Sequence, residues 1–426
     1  MFKYRSISAG IGWLLVALAF SSCTTVSSGP QVSIREFPVI SDSEPVAEAI
    51  KAVDASPQSA PAYVQLASAY IKTARRTGNF YLNADARRAI ERALQISPND
   101  PSARVLKASL HLTFHEFAEA LKLGEELYAE NPDAVSMGVI TDAHTQLGNY
   151  PQAVEWAQKM VDAKPNSSSY ARAALLRAMH GETEGAVELY KLSARTADPA
   201  DKEAQSWSLS QLGDLYWRNG RYDEAERVYD ESLSLTPNYN LAMLGKGRTR
   251  AAKGDLDSAA SLVSGALERS THTSYAIMLG DIKRKQGNEA AAQKLYALAD
   301  NAELLGDLHD AHRIALMLAD HDTDLDKALE IAETDYAGIK DIYAADILAW
   351  CLYKKGRFAE AREKSREALR INTKDAVLLY HAGMIEKALG NSVEASRLLQ
   401  AALDLNPAFD LVQAPVAKAA LRGLPQ

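Results

Sequence analysis

Cysteine is nearly absent from this chain, with two in 426 residues. Cys351 lies inside the apolar run LAWCLY and reads as a small buried core residue, not as half of a disulfide. Long hydrophobic runs are also missing, and nothing past residue 22 could span a bilayer. Positive charge is outnumbered, 47 lysines and arginines against 55 aspartates and glutamates, for a net charge of −8. That balance argues against nucleic acid and against docking on anionic lipid. Catalytic signatures are missing too: there is no Walker A loop, no G-x-S-x-G and no H-E-x-x-H, so neither enzymatic activity nor a cofactor is expected. Few aromatics beyond tyrosine and an apolar content of 47% suit a folded all-α protein.

What is present begins at the N-terminus. Lys3 and Arg5 precede the apolar segment Ile11–Phe20, followed by Ser21 and Ser22, the anatomy of an export signal. The sequence AFSSC then resembles the lipobox of bacterial lipoproteins, with Phe20 where leucine is usual. The resemblance implies cleavage after residue 22, lipidation of Cys23 and, with Thr24 following, an outer-membrane location facing the periplasm. Loss of Lys3 and Arg5 would move the net charge from −8 to about −10. Residues 23–42, polar and without period, read as a flexible tether. A capping helix is expected over 43–59, starting near Pro45.

From residue 60 the chain repeats. Its clearest unit is Ser206–Pro237, where Leu209, Leu212, Leu215 and Tyr216 mark one amphipathic helix. Ala225, Val228, Tyr229 and Leu233 mark a second, Gly220 stops the first and Pro237 ends the second. Pro98, Pro132, Pro165 and Pro199 recur at 34, 33 and 34 residues. Two inserts break the register, around RRTGNFYLN and at ADPADKEAQ. Later units carry Gly247, Gly254, Ala259 and Ala266, then Gly280, Gly287, Ala292 and Tyr296. Residues 305–341 are a weak copy, and the pattern recovers in Ala349, Gly356, Phe358 and Ala361, and again in Gly383, Gly390, Ala395 and Pro407. A last helix within 410–426 is expected to cover the open end.

Leu212, Gly213, Tyr216, Gly220, Ala225, Tyr229 and Pro237 together resemble the tetratricopeptide repeat. The resemblance implies an all-α solenoid of about ten helical hairpins over residues 60–409, wound into a right-handed superhelix. It also implies that the first helix of each hairpin lines a concave groove. The matching positions are Trp207, Asp214, Trp217 and Arg218, then Arg248, then Asp281, Arg284 and Lys285, then Tyr343, Trp350, Tyr353 and Lys354, and finally Tyr380. Aromatics beside cations suit an extended peptide bearing acidic or C-terminal carboxylate groups. The asparagines of the chaperone-binding carboxylate clamp are not found at the mapped positions.

The function implied is a lipid-anchored, non-catalytic scaffold that holds protein or peptide partners in the bacterial cell envelope. A glycan-binding groove using Trp207, Trp217, Trp350 and Tyr353, or a plain spacer, are the alternatives. His111 and His115, four apart, have no third ligand nearby, and the alternating aspartates of Asp320–Asp326 lack the calcium-loop glycine and final glutamate, so neither makes a metal site on spacing alone.

Overall fold

The computed structural model describes residues 43–270, 272–301 and 311–424. The signal segment, Cys23 and the tether lie outside the described residues. Among the described residues there are 22 α-helices and no strand. Twenty of them pair into ten successive hairpins, from Ala60–Thr77 with Leu82–Ile96 to Ala376–Ala388 with Ser392–Leu405. The chain is an α-solenoid.

The two helices of a hairpin differ in what they bury. Ile342–Lys354 buries ten residues around its circumference, whereas Tyr222–Leu235 buries only Ala225, Tyr229 and Ser232 along one stripe. First helices are enclosed by neighbours on several sides and second helices form the outer layer. The close approach between layers depends on small residues. The Tyr229 ring is fully buried between Gly213 and Gly245, where a Cβ would stand 2.5 Å and 2.3 Å from its Cε1. Several first helices start at aspartates that accept backbone N–H groups, among them Asp133, Asp341 and Asp375. The helix Glu44–Ala55 packs on Ala60–Thr77 at one end, and Gln413–Arg422 packs on Ser392–Leu405 at the other.

The solenoid winds far enough for its later hairpins to lie on its earlier ones. Lys340 N donates to Gln146 O at 2.9 Å and Ile342 N to Tyr150 OH at 2.8 Å. Thr373 Oγ1 donates to Met179 O at 2.5 Å, and Asn406 Nδ2 donates to Trp217 O at 2.8 Å. In each pair a hairpin turn of the first winding meets a linker of the second, 189 to 194 residues away where side chains make the bond. Both sequence inserts serve the same packing. The first prolongs a helix to Thr77, whose carbonyl accepts from Asn240 Nδ2 at 3.1 Å, and the second supplies Glu203, which pairs with Arg75 at 3.0 Å.

After its last hairpin the chain turns inward. Phe409 is buried with its ring 5.4 Å from that of Tyr380. Gln413 donates to Asp320 Oδ1 at 3.0 Å and accepts from Tyr380 OH at 2.7 Å. The C-terminal segment thus lies against first helices of hairpins upstream of it.

Candidate ligand-binding cavity

The two windings enclose a cavity of about 1220 Å³ on the side of the first helices. Trp207, Trp217, Arg218, Arg248 and Tyr343 all line it, although they come from three hairpins and both windings. Asp281 lines it as well. Arg218 Nη1 donates to Tyr343 OH at 2.9 Å and stands 3.5 Å from Asp375 Oδ2. Its side chain is 44% exposed, and the space it is exposed to is the cavity. Arg248 stacks over Trp217, 4.7 Å from the ring centroid, and bonds Asp214 at 2.5 Å. Asp214 accepts from Tyr229 OH at the same oxygen and lies behind the lining. The Trp217 Nε1 is buried with no acceptor.

Six of the groove residues expected from sequence lie elsewhere. Trp350 and Tyr380 are each 1% exposed, so neither is an exposed groove aromatic. The Trp350 ring stacks on Tyr353 at 4.7 Å and on His381 at 4.1 Å, and its Nε1 donates to Asp320 Oδ1 at 2.8 Å. Tyr380 is covered by Phe409 and Gln413. Lys354 pairs with Asp322 at 2.8 Å, Arg284 pairs with Glu289 at 2.8 Å, and Lys285 is exposed but away from the cavity. The repeat pattern identifies the helix, while coverage is decided by what packs on it: the same and adjacent hairpins for Trp350, Lys354 and Arg284, and the C-terminal segment for Tyr380.

Sequence reasoning missed the carboxylates of the lining. Asp142 holds Arg172 in a two-point pair at 2.9 and 2.6 Å. Asp341 and Asp375 cap two first helices and face the cavity, as do Asp346 and Asp410. Reading helix starts for capping aspartates would have found the first two. His111 and His115 do not share a helix face, because the helix ends at Thr113 and His115 sits in the turn with φ of 58°. His111 instead bonds Glu116 at 2.5 Å. In the Asp320–Asp326 stretch, Asp324 caps the next helix and Asp322 and Asp326 hold lysines.

The second winding also encloses titratable groups behind the lining. Burial pushes the Asp320 carboxyl up to about 7, with the Asp410 charge adding to it. Burial likewise raises Asp341 and Asp410. Burial alone would lower His381, but the Asp346 carboxylate, 2.7 Å away, together with Asp320 and Asp375, outweighs it and leaves the imidazole above its ordinary value. The signs agree. A raised carboxyl costs stability as pH rises from the ordinary carboxylate range through its folded value, and a raised histidine gives stability below its ordinary pKa that is lost as pH rises through its folded one. The second winding is therefore expected to gain stability as pH falls toward the ordinary carboxylate range. Glu289, held down to about 2 by its bond from Arg284, works against acid only below that window. Urea midpoints at about pH 8 and about pH 5 check this, with the gain diminished in Asp320→Asn.

Comparison with known proteins places the repeats. The sequence pattern of the tetratricopeptide repeat matches residues 72–135 and 210–272, so these stretches are tetratricopeptide repeats. Over 239 residues the chain is 26% identical to human Protein O-mannosyl-transferase TMTC1, covering 56% of this chain and 23% of that one. The chain thus spans less than a quarter of that relative's length. Among solved structures, yeast Tom70 is similar at 14% identity and a TM-score of 0.41, covering 88% of this chain and 91% of that one. The human IFIT1 dimer with PPP-AAAA is similar at 14% identity and a TM-score of 0.47, covering 86% and 95%. The APC/C hetero-tetramer Cut9-Hcn1 is similar at 16% identity and a TM-score of 0.35, covering 88% and 92%. Likeness at these values carries no argument about function.

Proposed function

We propose that this chain is a non-catalytic scaffold that holds a protein or peptide partner in its cavity while anchored through Cys23 to a bacterial envelope membrane. The repeats supply the general part of that reading, since solenoids of this kind present extended concave surfaces to other chains. The observation that carries the particular part is the convergence of Trp207, Trp217, Arg218, Arg248 and Tyr343 on one cavity. Rigid aromatics beside arginine are the side chains that dominate binding energy in protein interfaces. The O-mannosyl transfer named for the human relative is not carried over, because less than a quarter of that protein is matched.

Two measurements test the reading. A photocrosslinking residue in place of Trp217 should capture a protein on intact cells, and capture of none rejects the scaffold. Fatty-acid labelling should mark the wild-type chain and be abolished in Cys23→Ala. An unlabelled wild-type chain, or label retained in that variant, rejects the anchor through Cys23 and leaves the cavity reading untouched.

A further inference from the structure

The cavity has an electrostatic sign that its arginines conceal. Eight aspartates and five arginines line it, with no lysine or glutamate. Four of the five arginines already hold carboxylates: Arg172 with Asp142, Arg218 with Asp375, Arg75 with Glu203 and Arg248 with Asp214. The last two partners stand outside the lining, so even those arginines bring negative charge with them. At those four an incoming carboxylate would have to displace an existing partner, and it would enter a net negative space.

At the second winding the excess is concentrated. Asp341 and Asp375 each use one oxygen to cap a helix, and Asp346 lies one turn along the first of those helices. Asp346 is 3% exposed and gives Oδ2 to His381, but its Oδ1 is buried at the cavity wall with no hydrogen-bond partner. A buried carboxylate oxygen without a donor is costly, and a donor brought into the cavity would relieve that cost. Arg218 is a cation at this wall, engaged by Tyr343 OH and at 3.5 Å from Asp375, and His381 stands behind Asp346. Nearby Arg370 is held by the Lys340 carbonyl at 2.8 Å.

We infer that the cavity receives a cationic nitrogen group, the guanidinium or ammonium of a basic peptide segment or of a free polyamine, on Asp341, Asp346 and Asp375. This rests on the cavity being the binding surface and reverses the acidic partner expected from sequence. Tyr343 and Trp217 offer ring faces to the same chemistry, as each already does to an arginine of the chain.

The test is fluorescence anisotropy with a labelled oligoarginine peptide, a matched oligoglutamate and spermidine as competitor. Wild-type chain should bind oligoarginine, lose it with rising salt and ignore oligoglutamate. Asp346→Asn should weaken binding about tenfold or more. Asp375→Asn should weaken it in the same direction, and because asparagine caps helices as well as aspartate does, its thermal melt should stay close to wild type. Displacement by spermidine assigns the site to a free polyamine, and resistance to it assigns a basic peptide. Oligoglutamate binding as tightly as oligoarginine overturns the inference, as does unchanged affinity in two variants that melt like wild type. A protein crosslinked at position 217 whose capture is indifferent to both variants also overturns it while leaving the scaffold reading standing. Oligoarginine binding that needs Asp346, with no protein captured, does the reverse.

Discussion

Trp350→Ala is expected to lower the unfolding free energy by about 3–5 kcal/mol, the range for truncating a buried aromatic. The indole is 1% exposed and sandwiched by Tyr353 and His381 with ring planes tilted only 8° and 14° from its own. Alanine leaves a void there and removes the Nε1 donor from Asp320, a buried carboxyl left with Gln413. Trp350→Phe keeps a ring in the stack and loses the donor, so about 1–3 kcal/mol should remain. Urea unfolding of both variants measures this. Because each hairpin rests mainly on its neighbours, the loss should appear first in the second winding, as a separate early transition. A loss under about 1 kcal/mol in Trp350→Ala would return this residue to the binding surface.

Trp350 also marks the limit of what the sequence could disclose. The hairpins were legible because each demands small residues at fixed spacing: Gly213 and Ala225 sit where helices nearly touch, and Gly220 has the positive φ that ends a helix. The weak copy keeps one such small residue, Ala328, and it is fully buried. Exposure on the concave side was not legible. Tyr380 has the repeat position of a groove residue, yet Phe409 and Gln413 cover it, and these belong to the chain beyond the last hairpin. Arg218 meets Tyr343 across 125 residues of sequence, a distance that a period of about 34 residues does not encode. The small rotation between successive hairpins, summed over several of them, decides which residues meet across the windings.

That summed rotation can be tested through two glycines whose local geometry matches and whose surroundings do not. Gly148 and Gly356 both end first helices, with φ of 72° and 74°. An alanine in that left-handed region costs about 1–2 kcal/mol at either position. At Gly356 a Cβ would meet nothing within 4 Å, so the loss should stop there. At Gly148 the Cβ would stand 2.3 Å from the Lys340 carbonyl oxygen of the second winding. Backbone cannot give way as a flexible side chain would, so the windings must part locally. The bonds from Lys340 N to Gln146 O and from Ile342 N to Tyr150 OH are then at stake, at about 0.5–1.5 kcal/mol each. Gly148→Ala should therefore cost at least about 2 kcal/mol more than Gly356→Ala in urea unfolding, and small-angle scattering should show expansion in the first variant alone. Equal losses and unchanged scattering would mean that the windings do not rest on each other in solution. The cavity they enclose, with Arg218 from one winding and Asp375 from the other, would then have no fixed wall on which to hold a ligand.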